Sequence, residues 1–124
     1  MMKWLALILG GAGGTASRYL LSSLIHETFG TAFPLGTLAV NLIGCFLIGL
    51  FDAFAEEKLL ISLPARLFLV TGFCGAFTTF STFILETHYL LRHGEIFKVL
   101  LYLTGSVVAG YLIFRLGFAL GKGF

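Results

Sequence analysis

The sequence predicts an all-α membrane protein, and three observations carry that prediction. Of its 124 residues, 58% are hydrophobic and only 11% charged, against roughly 25% charged in soluble domains. Mean hydropathy is +1.00. The apolar residues gather into four long segments joined by short polar connections, and a helix needs about 20 apolar residues to cross the hydrocarbon. Helices are expected over approximately 4–25, 35–54, 64–91 and 96–120. They make one transmembrane domain over 1–124 and leave no space for a separate soluble part.

The same composition excludes several functions. A net charge of +2 without a basic cluster gives no basis for nucleic-acid binding. Cys45 and Cys74 lie inside apolar segments, form no C-x-x-C pair, and read as buried thiols. His26, His88 and His93 lack metal-ligand spacing, and nothing resembles a catalytic triad or a phosphate loop. No enzyme is expected.

The first segment opens with Lys3 and an apolar run, like a secretory signal. The run continues past Gly14 and Arg18 to Ile25 without a convincing cleavage site, so it reads as a retained helix. Trp4 suits an interfacial anchor, and Gly10-x-x-x-Gly14 suits close helix packing. Arg18 lies deep enough for its charge to be costly. It either faces a partner or a watery cavity, or snorkels to the nearer interface.

Pro34 introduces the second segment, whose core is GTLAVNLIGCFLIG, Gly36–Gly49. Asn41 is the only amide side chain in the chain, and a lone amide among apolar residues must find partners. It either clamps helices together or offers its amide hydrogens to a ligand. Thr37 stands one turn earlier on the same face. Asp52 is expected at the interface, and Glu56, Glu57 and Lys58 on a solvated loop over Ala55–Leu63.

The third segment starts near Pro64, a good first-turn residue, and is longer than one crossing requires. Within it lies GFCGAFTTFSTF, Gly72–Phe83. Two glycines precede a run in which the hydroxyls of Thr78, Thr79, Ser81 and Thr82 alternate with phenylalanines. Phe80 and Phe83, three apart, share a helix face. The stretch predicts a helix broken in mid-membrane, and in a bilayer such a break survives only inside protein or along a polar cavity. Two readings follow from the residues: a permeation path, or a Gly/Ser/Thr packing seam. Glu86, three residues after Phe83, is either the mouth of that path or a plain interfacial acid. In the fourth segment Tyr102, Ser106 and Gly110 recur every four residues as a polar or small stripe, and Gly117-x-x-x-Gly121 reads as a packing motif.

Four crossings put Lys3, Lys58, Arg66 and Lys122 on one side and Arg92 and Lys98 on the other. The positive-inside rule therefore gives only a weak orientation preference, which permits insertion both ways round. A closed two-fold dimer would give Asn41 and the hydroxyl run a protein-lined place to point.

GGAGGTASRY (Gly10–Tyr19), GTLAVNLIGCFLIG and GFCGAFTTFSTF together resemble the Fluc or CrcB family of small fluoride channels, in order and in spacing. The resemblance covers essentially the whole chain. It implies a passive fluoride-selective channel in the cytoplasmic membrane of a microbe, built as an antiparallel dual-topology homodimer with two pores. By motif match, Phe80 and Phe83 correspond to the pore phenylalanines and Asn41 to the pore asparagine. The helix break corresponds to one holding a structural sodium ion at the dimer centre through the backbone carbonyls of Gly75 and Thr78. Tyr102 and Ser106 fall on the family's polar track, and Gly110 stands where some members carry a further hydroxyl.

The chemistry agrees with that implication. Fluoride is small and tightly hydrated, so a pore must replace its water without trapping it. The Asn41 amide, the Ser81 and Thr82 hydroxyls and the positive edges of phenyl rings are weak donors in series. A carbonyl-held cation would lower the cost of an anion in low dielectric. A small multidrug exporter would need an acid on the first helix, and that segment carries Arg18 instead. Two rivals remain: fluoride–proton exchange through Glu86, and a membrane assembly subunit that moves no ion.

Overall fold

A computed structural model describes residues 1–57 and 59–123. Lys58, assigned above to the polar loop, lies outside the described residues. The chain forms α1 (Met2–Phe29), α2 (Leu35–Asp52) continued by a π-helical turn at Ala53–Glu57, α3 (Leu63–Arg66) running into a π-helix at Leu67–Cys74, α4 (Gly75–Phe77), α5 (Phe80–Arg92) and α6 (Ile96–Gly123). Four helical crossings result, because α3 to α5 form one interrupted unit. No strand occurs among the described residues.

Leu35–Glu57, Leu63–Arg92 and Ile96–Gly123 are each long and apolar enough to span a membrane. Helix α1 is 28 residues long but less apolar, being diluted by four glycines and by Arg18. Its ends extend beyond the expected 4–25 because nothing stops the helix until Gly30, which takes φ 79°, a conformation that favours glycine. Gly94, at φ 71°, makes the turn between α5 and α6.

Small residues set the packing. Gly10 and Gly14 are the buried residues of α1. A Cβ on Gly10 would fall on the Phe68 carbonyl, and one on Gly14 on the Phe73 carbonyl. The first half of the third crossing therefore lies directly against the glycine face of α1. Helices α2 and α6 meet the same way and form the most extensive helix pair. Gly49 faces the Phe114 carbonyl, and Gly117 faces the Phe46 carbonyl. Without a hydrophobic driving force between helices in lipid, this close backbone approach maximises dispersion contact.

Two stretches depart from the expected picture. The Leu67–Cys74 π-helix widens the third crossing ahead of its break, with the Gly75 amide donating to the Val70 carbonyl five residues back; no propensity signal in LFLVTGFC announces it. The acidic end of α2 is also more structured than a solvated face. Arg66 reaches Asp52 at 3.6 Å and also bonds to Glu56, which ties the end of α2 to the start of the third crossing. Ser62 caps α3, its hydroxyl accepting from the Ala65 amide at 3.4 Å.

Candidate functional site

The site begins with the backbone. Thr78 (φ −88°, ψ 157°) and Thr79 (φ −148°, ψ 120°) are extended, so α4 ends and α5 starts anew within the crossing. A helix end leaves carbonyls and amides without intrahelical partners, and inside a bilayer each must be satisfied by protein. Side chains from α1 and α2 do much of this.

Arg18 donates from Nε to the Ala76 carbonyl at 3.0 Å. Of the alternatives open for Arg18, the structure selects a partner: it caps the broken helix. Asn41 takes Thr79 at two points. Its Oδ1 accepts from the Thr79 amide at 2.8 Å, and its Nδ2 donates to the Thr79 carbonyl at 3.1 Å. The lone amide is thus a clamp between α2 and the break, with one Nδ2 hydrogen left over. Thr79 in turn caps α5, its hydroxyl accepting from the Thr82 amide at 3.3 Å and donating to the Thr82 hydroxyl at 3.2 Å.

These bonds have a consequence for two carbonyls. In a continuous helix the Thr79 amide would donate to Gly75 and the Thr82 amide to Thr78. Here Asn41 takes the first amide and the Thr79 hydroxyl takes the second. The carbonyls of Gly75 and Thr78 thereby lose those two helical donors. Gly44 gives Thr78 its room, since a Cβ there would fall on the Thr78 methyl.

An open cavity of about 330 Å³ lies over the break. Asn41, Thr78, Thr79, Phe80, Phe83 and Ser106 line it together with Gly75 and both cysteines, and among the described residues no charged side chain does. Phe80 is 74% exposed there. The Ser106 hydroxyl is buried without a hydrogen-bond partner among the described residues. From Phe80 an aromatic chain runs inward. Phe80 and Phe83 have ring centroids 5.9 Å apart, and Phe83 meets Tyr102 edge-on at 4.7 Å. Tyr102, 1% exposed, directs its hydroxyl to Glu86 Oε1 at 3.5 Å. Thr37 is buried beside Glu86 and Tyr102. Glu86 opens into a second cavity of about 480 Å³ shared with His26, Tyr89, His93, Glu95 and Lys98.

Of the residues singled out in sequence, Asn41, Phe80, Phe83 and Ser106 share the first cavity with Gly75 and Thr78. Thr37 and Tyr102 connect Phe83 to Glu86 in the second. Ser81 and Thr82 line neither cavity. Ser81 is exposed on α5, and the Thr82 hydroxyl accepts from the Thr79 hydroxyl, which leaves its own proton free to donate. Sequence reasoning missed Thr79 as the cap, although T-x-x-T ahead of a new helix carries that signal. It also passed over His26, for which only metal spacing was considered.

Fold and site together define a small multi-pass membrane protein in which a polar and aromatic track runs beside the broken third crossing from one cavity to another. Residues 5–118 match the family described as CrcB-like protein, Camphor Resistance (CrcB), and the chain belongs to that family. It is 49% identical over 117 residues to a protein of Aquifex aeolicus named fluoride-specific ion channel FluC, covering 94% of each chain. A protein of the same name from Chlorobium phaeobacteroides is 50% identical over 122 residues, covering 97% of this chain and 95% of the relative. A third, from Nitrosococcus oceani, is 46% identical over 121 residues, covering 98% and 95%. These relatives are ion channels by name and not enzymes.

Proposed function

We propose that the chain is a passive fluoride-selective channel working as an antiparallel dual-topology homodimer. The observation that carries this reading is the track Asn41–Phe80–Phe83–Tyr102–Glu86, together with relatives named for fluoride. Full positive charges would hold fluoride as a trap, whereas the cavity at Phe80 offers an amide hydrogen, ring edges and the unpartnered Ser106 hydroxyl. Each is weak enough to pass an ion to the next. Phe80 stands exposed on one wall of an open cavity. A second copy, inverted and packed on this face, would supply the other wall, and two-fold symmetry would then make two equivalent pores.

The carbonyls of Gly75 and Thr78, deprived of their usual helical donors at the break, suit a hard cation, which prefers oxygen ligands. With their counterparts on a second copy they would hold a sodium ion, which supplies a fixed positive charge in a low-dielectric interior. Within each subunit Asn41 positions the break that presents those carbonyls, and Arg18 satisfies the carbonyl between them.

The test is fluoride and chloride efflux from liposomes, wild type beside Phe80→Ile and Phe83→Ile. Fast fluoride efflux with little chloride leak, lost in both variants, supports the channel and its site. Fast flux that survives both changes keeps the channel and rejects the site. Flux only under a proton gradient would transfer the role to an exchanger working through Glu86. No flux from folded, dimeric protein would return the stretch to a packing seam.

A further inference from the structure

His26 stands in the last turn of α1, half-buried, and its Nδ1 is enclosed without a hydrogen-bond partner among the described residues. The ring is pressed onto α2 at Gly36, where an added Cβ would stand 3.0 Å from Nε2. It shares the wall of the 480 Å³ cavity with Glu86, and the carboxylate lies within range of its charge. A buried polar ring without a partner is costly, and so is a carboxylate among four helices with no cation bonded to it.

Most of the other polar groups around the cavity have partners of their own, and His93 keeps only Nε2 free. Lys98 is bound to Glu95 at 3.1 Å and to the Ala32 carbonyl at 3.0 Å. On α5, His93 bonds through Nδ1 to the Tyr89 carbonyl at 2.8 Å. From α6, Tyr102 presents a hydroxyl to Glu86, and α2 contributes Thr37. Glu27, beside His26 on α1, is exposed and lines no part of the cavity. Among the described residues, His26 is the cavity-lining ring whose buried nitrogen has no partner within the protein, which leaves it available to offset Glu86.

We infer that His26 is a positioning residue for anion entry: its ring shares this mouth with Glu86, and its proton cancels the carboxylate's repulsion of an entering anion. The inference rests on the channel reading above. With the ring neutral, an anion approaching Tyr102 and Phe83 meets an uncompensated carboxylate. With the ring protonated, the pair is neutral overall. A proton gained or lost by the ring therefore gives conduction a pH dependence of defined sign. Flux rises as pH falls.

The experiment is fluoride efflux from liposomes at symmetric pH between about 5.5 and 8, with protein-free vesicles to subtract leakage of hydrogen fluoride. One charge acting at roughly 8 Å through an effective dielectric near 20 should raise wild-type flux roughly thirtyfold toward acid pH. His26→Gln should stay near the alkaline value throughout. Wild-type flux that ignores pH, or a pH dependence that persists in His26→Gln, would overturn the role of His26 and leave the channel standing. Absence of fluoride flux from wild type at every pH would remove the channel reading itself, and the inference with it. If His26→Gln does not fold, the His26 ring is titrated by nitrogen NMR in wild type and in Glu86→Gln. A midpoint that falls when the carboxylate is removed supports the pairing, and an unmoved one rejects it.

Discussion

Replacing Asn41 by Leu removes the clamp on Thr79 while keeping nearly the same volume. Two hydrogen bonds are lost, at 2.8 and 3.1 Å, each with a net contribution of about 1 kcal/mol. The larger cost is what remains. The Thr79 amide and carbonyl, partly buried and deep in the span, have no water to turn to, and an unsatisfied buried group costs about 1–3 kcal/mol. Two such groups put the destabilisation at about 2–6 kcal/mol, measurable by chemical or thermal unfolding in detergent followed by circular dichroism. Conduction should fall further than stability alone explains. Losing one charge-assisted donor to the anion, worth about 1.5–3 kcal/mol, lowers fluoride efflux roughly tenfold to a hundredfold. Asn41→Asp separates the two effects. It keeps an acceptor for the Thr79 amide, sets an oxygen against the Thr79 carbonyl, and puts a negative charge on the anion's route. Asn41→Leu protein with unchanged unfolding and unchanged efflux would refute both the clamp and the donor.

Arg18→Gln should destabilise by about 2 kcal/mol, since the Ala76 carbonyl loses a charged donor inside the span; Arg18→Lys, as a compact point charge, should recover only part of that in the same unfolding assay. Phe83→Ile removes the edge-on contact with Tyr102 and should abolish fluoride efflux while the protein stays folded by circular dichroism. Gly117→Ala improves helix propensity by about 1 kcal/mol yet drives a methyl into the Phe46 carbonyl, so unfolding should show a net loss of about 1–2 kcal/mol. Replacing sodium by a large organic cation should lower dimer stability in detergent, as read by size-exclusion chromatography. A dimer indifferent to sodium would reject the role proposed for the Gly75 and Thr78 carbonyls.

Much of this protein could be read before folding, and the bilayer is the reason. Hydrocarbon thickness sets helix length, so four apolar segments became four crossings with ends displaced by only a few residues. Hydrocarbon also forbids unsatisfied backbone, so glycines and threonines inside an apolar run already marked the interruption at Thr78 and Thr79. The paired glycines of α1 and α6 announced close approach for a similar reason: only a missing side chain admits a neighbouring backbone.

What the tertiary structure alone decided is which group satisfies which. Asn41 and Thr79 are 38 positions apart, and Arg18 and Ala76 are 58 apart. Their pairing follows from the rotation and height of one helix against another, which single-helix periodicity does not contain. The same register turned Ser81 outward, engaged Thr82 in a cap, and brought His26 to Glu86. Local chemistry told the chain where its backbone must break. Helix packing determined which side chains mend that break, and which groups remain free to meet an ion.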